Sequence, residues 1–173
     1  PFAELTVNQL RDRKTALGLY VKHHSSAGKI KLENDERVNA NFSENLVNLY
    51  GRKIFRNSVA EAEIYGGYNT FLYYGYDVSM DTTLLKDDVK QKILNSGAKL
   101  RYYSSHPDSS HFNYNFGVEY NFLTDAFNTV EQGVNVDASM AKFLGDWYST
   151  VDMGLEMYNL NGDIDTTKNI IIR

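Results

Sequence analysis

The sequence predicts an all-β fold, an antiparallel up-and-down meander whose strands form part of a transmembrane barrel. Three observations carry this expectation. Between His111 and Phe122 every second residue from Phe112 onward is aromatic or Val, and the residues between are Asn, Asn, Gly, Glu and Asn. A strict period of two over such a run is a β-strand with one apolar and one polar face. The run is also long: roughly 9–11 tilted residues cross a bilayer, whereas globular strands average about five or six. Finally, the connections between such runs alternate in length, as in barrels with short turns at one end and longer loops at the other.

The totals bound the rest. A chain of 173 residues is one domain's worth. Its 18 basic and 22 acidic residues are near balance, with no polybasic stretch, so nucleic acid is not an expected partner. The absence of Cys removes disulfide scaffolds, thiol catalysis and thiolate metal sites. No run of about 18 apolar residues occurs, so no transmembrane helix is expected; alternating strands never raise a hydropathy average. With 13 Tyr, 9 Phe and only 2 Pro, the composition favours strands and leaves their ladders unbroken. The chain opens inside an alternating pattern at Pro1-Phe2-Ala3-Glu4 and closes on Asn169-Ile170-Ile171-Ile172-Arg173 as a strand begins. Residues 1–173 are therefore expected to be a single barrel segment cut at both ends, with any export signal outside it.

The elements follow in order. Ala3, Leu5 and Val7 alternate with Glu4 and Thr6, and Arg11-Asp12-Arg13-Lys14 turns the chain. From Thr15 to His24, Leu17, Leu19 and Val21 oppose Gly18, Tyr20, Lys22 and His24. Residues 25–36 hold turn chemistry over a longer connection. Val38, Ala40 and Phe42 then mark a third strand, and Ser43-Glu44-Asn45 is expected to be a tight turn. A fourth strand runs from about Leu46 to Arg56, and a fifth places Ala60, Ala62 and Ile64 against Glu61, Glu63 and Tyr65. Gly66-Gly67-Tyr68-Asn69 is expected to turn the chain into a sixth strand, Thr70 to Tyr76.

Asp81 to Leu94 has helical spacing at Leu85, Val89 and Ile93, yet Leu94, Ala98, Leu100 and Tyr102 alternate with Asn95, Gly97, Lys99, Arg101 and Tyr103. A strand is expected from about Gln91 to Ser104, with at most a short helix before it. Residues 106–110 turn the chain into the Phe112–Phe122 strand. Val130 to Met140 and Trp147 to Tyr158 alternate in the same way around a turn at residues 143–146. Leu160 to Lys168 is expected to be a long polar connection before an eleventh strand. In such a meander the first strand runs down from the side of the long loops, so an earlier strand is expected.

Two faces result. Leu5, Leu100, Phe116, Val118, Val136, Val151 and Leu155 are expected to face lipid. Arg52, Glu61, Glu63, Lys99, Arg101, Glu119, Asp137, Asp152 and Glu156 are expected to face the lumen, where opposite charges on neighbouring strands support pairing by about 0.2–1 kcal/mol each. Lys99 and Arg101 are placed one strand from Glu119, which is placed one strand from Asp137 and Glu131; Arg52 is one hairpin from Glu61 and Glu63. The alternative is a soluble all-β sandwich that buries the apolar face under a second sheet and binds glycan or protein.

The chain resembles bacteroidete-type outer-membrane β-barrel proteins that are relatives of TonB-dependent receptors. The resemblance rests on Pro1-Phe2-Ala3-Glu4-Leu5, Tyr20-Val21-Lys22-His23-His24-Ser25-Ser26, Gly28-Lys29-Ile30-Lys31-Leu32, Tyr50-Gly51-Arg52-Lys53, Tyr74-Gly75-Tyr76 and Asp108-Ser109-Ser110-His111-Phe112-Asn113-Tyr114. It implies a barrel in the bacterial outer membrane, in contact with its lipid and with other envelope proteins. No plug domain or energy-coupling motif accompanies it, and it carries over no functional residue. Asp81-Thr82-Thr83 and Asp165-Thr166-Thr167 look like O-glycosylation acceptor triplets of such bacteria.

No catalytic, cofactor or metal residues are expected. His23 and His24 point to opposite faces of a strand and do not share a metal. His106 and His111 flank Asp108 but lack a third firm ligand. Asn161-Gly162-Asp163-Ile164-Asp165 lacks the spacing and the bidentate Glu of a calcium loop. Glu61 with Glu63, and Asp152 with Glu156, pair acids along a strand without the separation across a cleft that glycoside hydrolysis needs. Phosphate-loop, Gly-x-Ser-x-Gly and His-Glu-x-x-His motifs are missing, so no enzyme activity is expected.

Overall fold

The computed structural model describes residues 1–9, 12–31, 35, 37–72, 90–106, 111–162 and 166–172. These residues form strands and their connections: β1 (Phe2–Gln9), β2 (Thr15–Ser26), β3 (Lys29–Lys31), β4 (Arg37–Asn39), β5 (Phe42–Ile54), β6 (Ser58–Leu72), β7 (Lys90–Ser104), β8 (Asn113–Thr124), β9 (Val130–Leu144), β10 (Trp147–Asn161) and β11 (Thr166–Ile172). Nine of them make one antiparallel sheet in the order β1-β2-β5-β6-β7-β8-β9-β10-β11, while β3 and β4 pair apart from it as a hairpin between β2 and β5. The up-and-down meander expected from the alternation is the fold. No described helix is long and apolar enough to cross a membrane. Within the described residues the sheet does not close, since β1 pairs only with β2 and β11 only with β10.

Two expected turns are strand. Ser43, Glu44 and Asn45 lie inside β5 and pair with Thr70, Asn69 and Tyr68 of β6, and Gly66 and Gly67 continue the same ladder opposite Val47 and Leu46. Here polar and glycine-rich stretches of two neighbouring strands meet, so the hydrogen-bonded ladder runs on beyond the point where clean alternation fades. The expected strands from Val38 and Leu46 thus merge into β5, apart from the short β4, and those from Ala60 and Thr70 merge into β6. Residues 73–89, with Tyr74-Gly75-Tyr76 and Asp81-Thr82-Thr83, lie outside the described residues. β7 starts at Lys90, so the strand expected from Gln91 is present. The connection after β10 shrinks to residues 162–165, and β11 pairs back along β10 from Asn161 to Leu155.

The tight turns are set by local chemistry. In the first, Asp12 Oδ1 accepts the Lys14 backbone N–H at 2.9 Å, and that bond, followed by the Thr15 hydroxyl, holds the Asp12 carboxyl below its ordinary value. Gly145 opens the two-residue β9–β10 turn with φ 65°, a left-handed conformation that costs Gly no Cβ clash. Asp125 closes the β8–β9 turn by accepting the N–H groups of Phe127 and Thr129 at 2.8 and 2.9 Å. The strand ends Gln9 and Thr15, Ile54 and Ser58, Ser104 and Asn113, Leu144 and Trp147 share one end of the sheet; Ser26 and Phe42, Leu72 and Lys90, Thr124 and Val130, Asn161 and Thr166 share the other.

The sheet is a single layer without a core. Val59, at 2% exposure, is the one buried hydrophobic residue among those described, whereas Leu100 is 60% and Ile64 61% exposed. The surface area is 12722 Å², against roughly 8,600 Å² for a compact monomer of this mass. Register puts most of the exposed apolar residues on one face: Leu17, Ala62, Leu100, Val118, Val136, Leu155 and Ile172 follow one another across the strands in a single rung, interrupted only by Gly51, while Phe2, Phe143 and Ile171 stand on the other face near strand ends. Leu5 and Val151 belong to the same face by register with Val21 and Met140. β6, β7, β9 and β10 are 15 residues each, about 50 Å of strand, which leaves both ends outside a hydrocarbon layer of about 30 Å.

Charge is sorted between the faces. Every carboxylate in the strands of the large sheet (Glu4, Glu44, Glu61, Glu63, Glu119, Glu131, Asp137, Asp152 and Glu156) stands on the polar face. The apolar face carries none. Its charged side chains among those described are Lys53, Lys90, Lys92 and Lys142, each within three residues of a strand end.

Candidate functional site on the polar face

Eight of the nine residues expected to line an interior fall on two adjacent rungs. One rung runs Arg52, Glu61, Arg101, Gly117, Asp137, Gly154; the next runs Tyr50, Glu63, Lys99, Glu119, Asn135, Glu156. Asp152 stands one rung further, opposite Ser139. Strand pairing alone therefore gathers residues that lie about a hundred positions apart in the chain.

On β5 to β8 opposite charges face each other. Arg52 Nε lies 3.3 Å from Glu61 Oε1, and Lys99 Nζ 3.2 Å from Glu119 Oε1. Tyr103, a residue the alternation did not single out, ties the first pair together: its hydroxyl donates to Glu61 at 3.1 Å and accepts from Arg52 at 3.3 Å, while the Arg101 guanidinium lies 5.3 Å from its ring. Arg101 Nε donates to Asn115 Oδ1 at 2.7 Å, and Asn48 Nδ2 donates to Glu63 at 2.6 Å. The signal for Tyr103 and Asn115 was their parity with Arg101 and Glu119. Asn48, Arg52, Glu61, Glu63, Lys99 and Arg101 line a hollow of about 620 Å³ together with Tyr20 and Tyr50.

As expected, Asp137 and Glu131 stand one strand from Glu119 on the same face, and the register adds which residues are opposite each other. Glu119 faces Asn135, not Asp137, and Glu131 pairs with Leu123. Asp137 instead lies over Gly117, with Asn115 Nδ2 at 3.5 Å. Among the described residues, β8, β9 and β10 carry acids and no Lys or Arg on this face, so the cations of this face stand on β2, β5 and β7 and its acids extend across β8 to β10.

A third rung is built by glycine. Tyr65, Gly97, Asn121, Gly133 and Tyr158 follow one another across five strands, and each tyrosine ring lies over the glycine beside it. The Tyr65 hydroxyl donates to Asn121 Oδ1 across Gly97, just as Tyr50 donates to Asn8 at 2.5 Å across Gly18. The two rings and Asn121 border a second hollow of about 460 Å³.

The other singled-out residues give no site. His23 turns to the apolar face and bonds Asn45 and Ser25 at 2.7 and 3.0 Å; His24 turns to the polar face, edge-on to Phe2 and Phe42. His106 and His111 stack at 4.6 Å, with Asp108 outside the described residues. Asp163, Ile164 and Asp165 also lie outside them. Among the described residues no three His, Asp or Glu are placed to hold a metal ion.

The charge ladder is open to test. Lys99→Glu sets three carboxylates side by side on one rung with Glu63 and Glu119, and is expected to destabilise the sheet by roughly 1–2 kcal/mol, two cross-strand contacts being lost and reversed. Adding Glu119→Lys is expected to recover about half in denaturant titrations. Full tolerance of the single variant would show the ladder to be energetically silent.

No protein-family model matches the chain, and no curated protein matches its sequence. Its fold is similar to that of OmpT, an outer membrane protein of Vibrio cholerae in its trimer form, with a TM-score of 0.52 and 12% identity over 94% of this chain and 45% of that one. The chain spans less than half the length of that protein. At this identity the likeness is one of fold, and the fold it shows is the antiparallel meander of an outer-membrane β-barrel.

Proposed function

We propose that the chain is a segment of an outer-membrane β-barrel that serves as a channel or transport barrel, or as a structural subunit of an envelope complex. The observation that supports this reading most is the sorting of charge: nine strand carboxylates on one face, none on the other, and lysines on the apolar face only near strand ends. A water-facing outer surface would mix signs and scatter acids, whereas a hydrocarbon-facing one excludes ionised carboxylates and tolerates lysines that reach the headgroups. On this reading the rungs from Arg52 to Asp137 and from Glu63 to Glu156, with Asp152, line the interior.

A soluble sandwich needs a second sheet over the apolar face, and among the described residues nothing larger than the β3–β4 hairpin stands outside the main sheet. The TonB-dependent type rests on the sequence motifs alone, and a passive barrel accounts for the same faces. The test is fractionation with heat-modifiable mobility in detergent. Recovery in the outer membrane, with a mobility shift on boiling, is expected; release by high salt without detergent would rule the reading out.

A further inference from the structure

The apolar face has a dent in it. Leu17, Gly51, Ala62 and Leu100 form one rung, and Thr15, Lys53, Ala60 and Tyr102 the next. Three small residues therefore stand together between large neighbours, and they floor a hollow of about 550 Å³ with Leu17 and Leu100 as walls. One rung beyond the floor, Leu49 opposite Ile64 closes one end with branched side chains. Lys53 marks the other end. Its ammonium lies 5.8 Å from the Phe55 ring and acts through space on the Asp12 carboxylate of the β1–β2 turn. No strand carboxylate shares this face to satisfy it.

We propose that this hollow binds a phospholipid with an anionic headgroup, an acyl chain lying over Gly51, Ala60 and Ala62 and the phosphate meeting Lys53. The inference rests on the membrane reading and deepens it by naming which lipid the face selects. The Gly and Ala floor offers hydrocarbon contact, and the Thr15 and Tyr102 hydroxyls beside it are already engaged by Asp12 and Ser58, which fits a chain and not a polar solute. The Lys53 ammonium at its mouth, near Asp12 of the β1–β2 turn and at the edge of the apolar band, fits the phosphate to which that chain is joined. A lipid of neutral net charge gives Lys53 no such preference.

The test titrates the purified protein in neutral detergent with phosphatidylglycerol or phosphatidylcholine and counts bound lipid by native mass spectrometry. Phosphatidylglycerol is expected to be held about fivefold more tightly, the contribution of one lysine at an anionic headgroup. Lys53→Gln is expected to bring that ratio near one. Lys142→Gln, on the same face away from the hollow, leaves it unchanged. Ala62→Leu fills the floor and lowers retention of both lipids; Lys53→Gln decides alone if that variant does not fold. Equal retention of the two lipids by the unaltered protein overturns the site. A protein that stays monomeric in plain buffer and takes up no detergent overturns the membrane reading instead.

Discussion

Val118→Arg is expected to destabilise the inserted barrel by roughly 2–4 kcal/mol, the cost of a guanidinium at the bilayer midplane. Val118 is 45% exposed on the apolar face, mid-strand in β8, with Leu100 and Val136 directly opposite it. No carboxylate on that face can pair with the new charge, and from mid-strand the side chain reaches neither headgroup layer. Depth decides the magnitude. Trp147→Arg, at the β9–β10 turn, is expected to cost only about 0–1 kcal/mol. Guanidinium unfolding in lipid vesicles measures both, and equal costs at the two positions would mean that no hydrocarbon layer covers this face.

Gly97→Val is expected to be about as damaging, for a different reason. A Cβ at Gly97 would come within 2.6 Å of the Tyr120 backbone carbonyl and closer still to the Tyr65 ring. The backbone oxygen belongs to the β7–β8 ladder and cannot move aside, so overpacking of roughly 1–3 kcal/mol adds to about 1 kcal/mol for the lost Tyr65–Asn121 hydrogen bond. Gly133→Ala meets only the Tyr158 ring at 3.1 Å, and Gly66→Ala meets Val47 at 3.7 Å. Unfolding midpoints are expected to fall in the order Gly97, Gly133, Gly66; a flat series would mean that the tyrosine seats carry no strain.

What the sequence disclosed, and what it hid, divides along physical lines. From Phe112 to Phe122 the hydrocarbon face imposes a period of two, and β8 has the parity expected. Where polar residues or glycines interrupt that period, Ser43-Glu44-Asn45 or Gly66-Gly67 has the composition of a turn while sitting in a ladder. Only the partner strand distinguishes the two cases, and the partner is not local. The charged rungs were legible in type and in face. Their neighbours were not: a shift of two residues in register separates Asp137 from Glu119 and gives Glu119 to Asn135. The face of Tyr103 was legible from its parity with Arg101, whereas its bonds to Arg52 and Glu61, two strands away and one, follow from the register.

The two margins of the sheet have a consequence for how it enters a bilayer. Along the outer side of β1 and of β11 the main chain presents a row of amides and carbonyls that the described strands leave without partners. In oil each such group costs several kcal/mol, so neither margin can cross the membrane bare. Each margin must therefore find a strand to pair with as it enters a bilayer, which ties insertion to pairing.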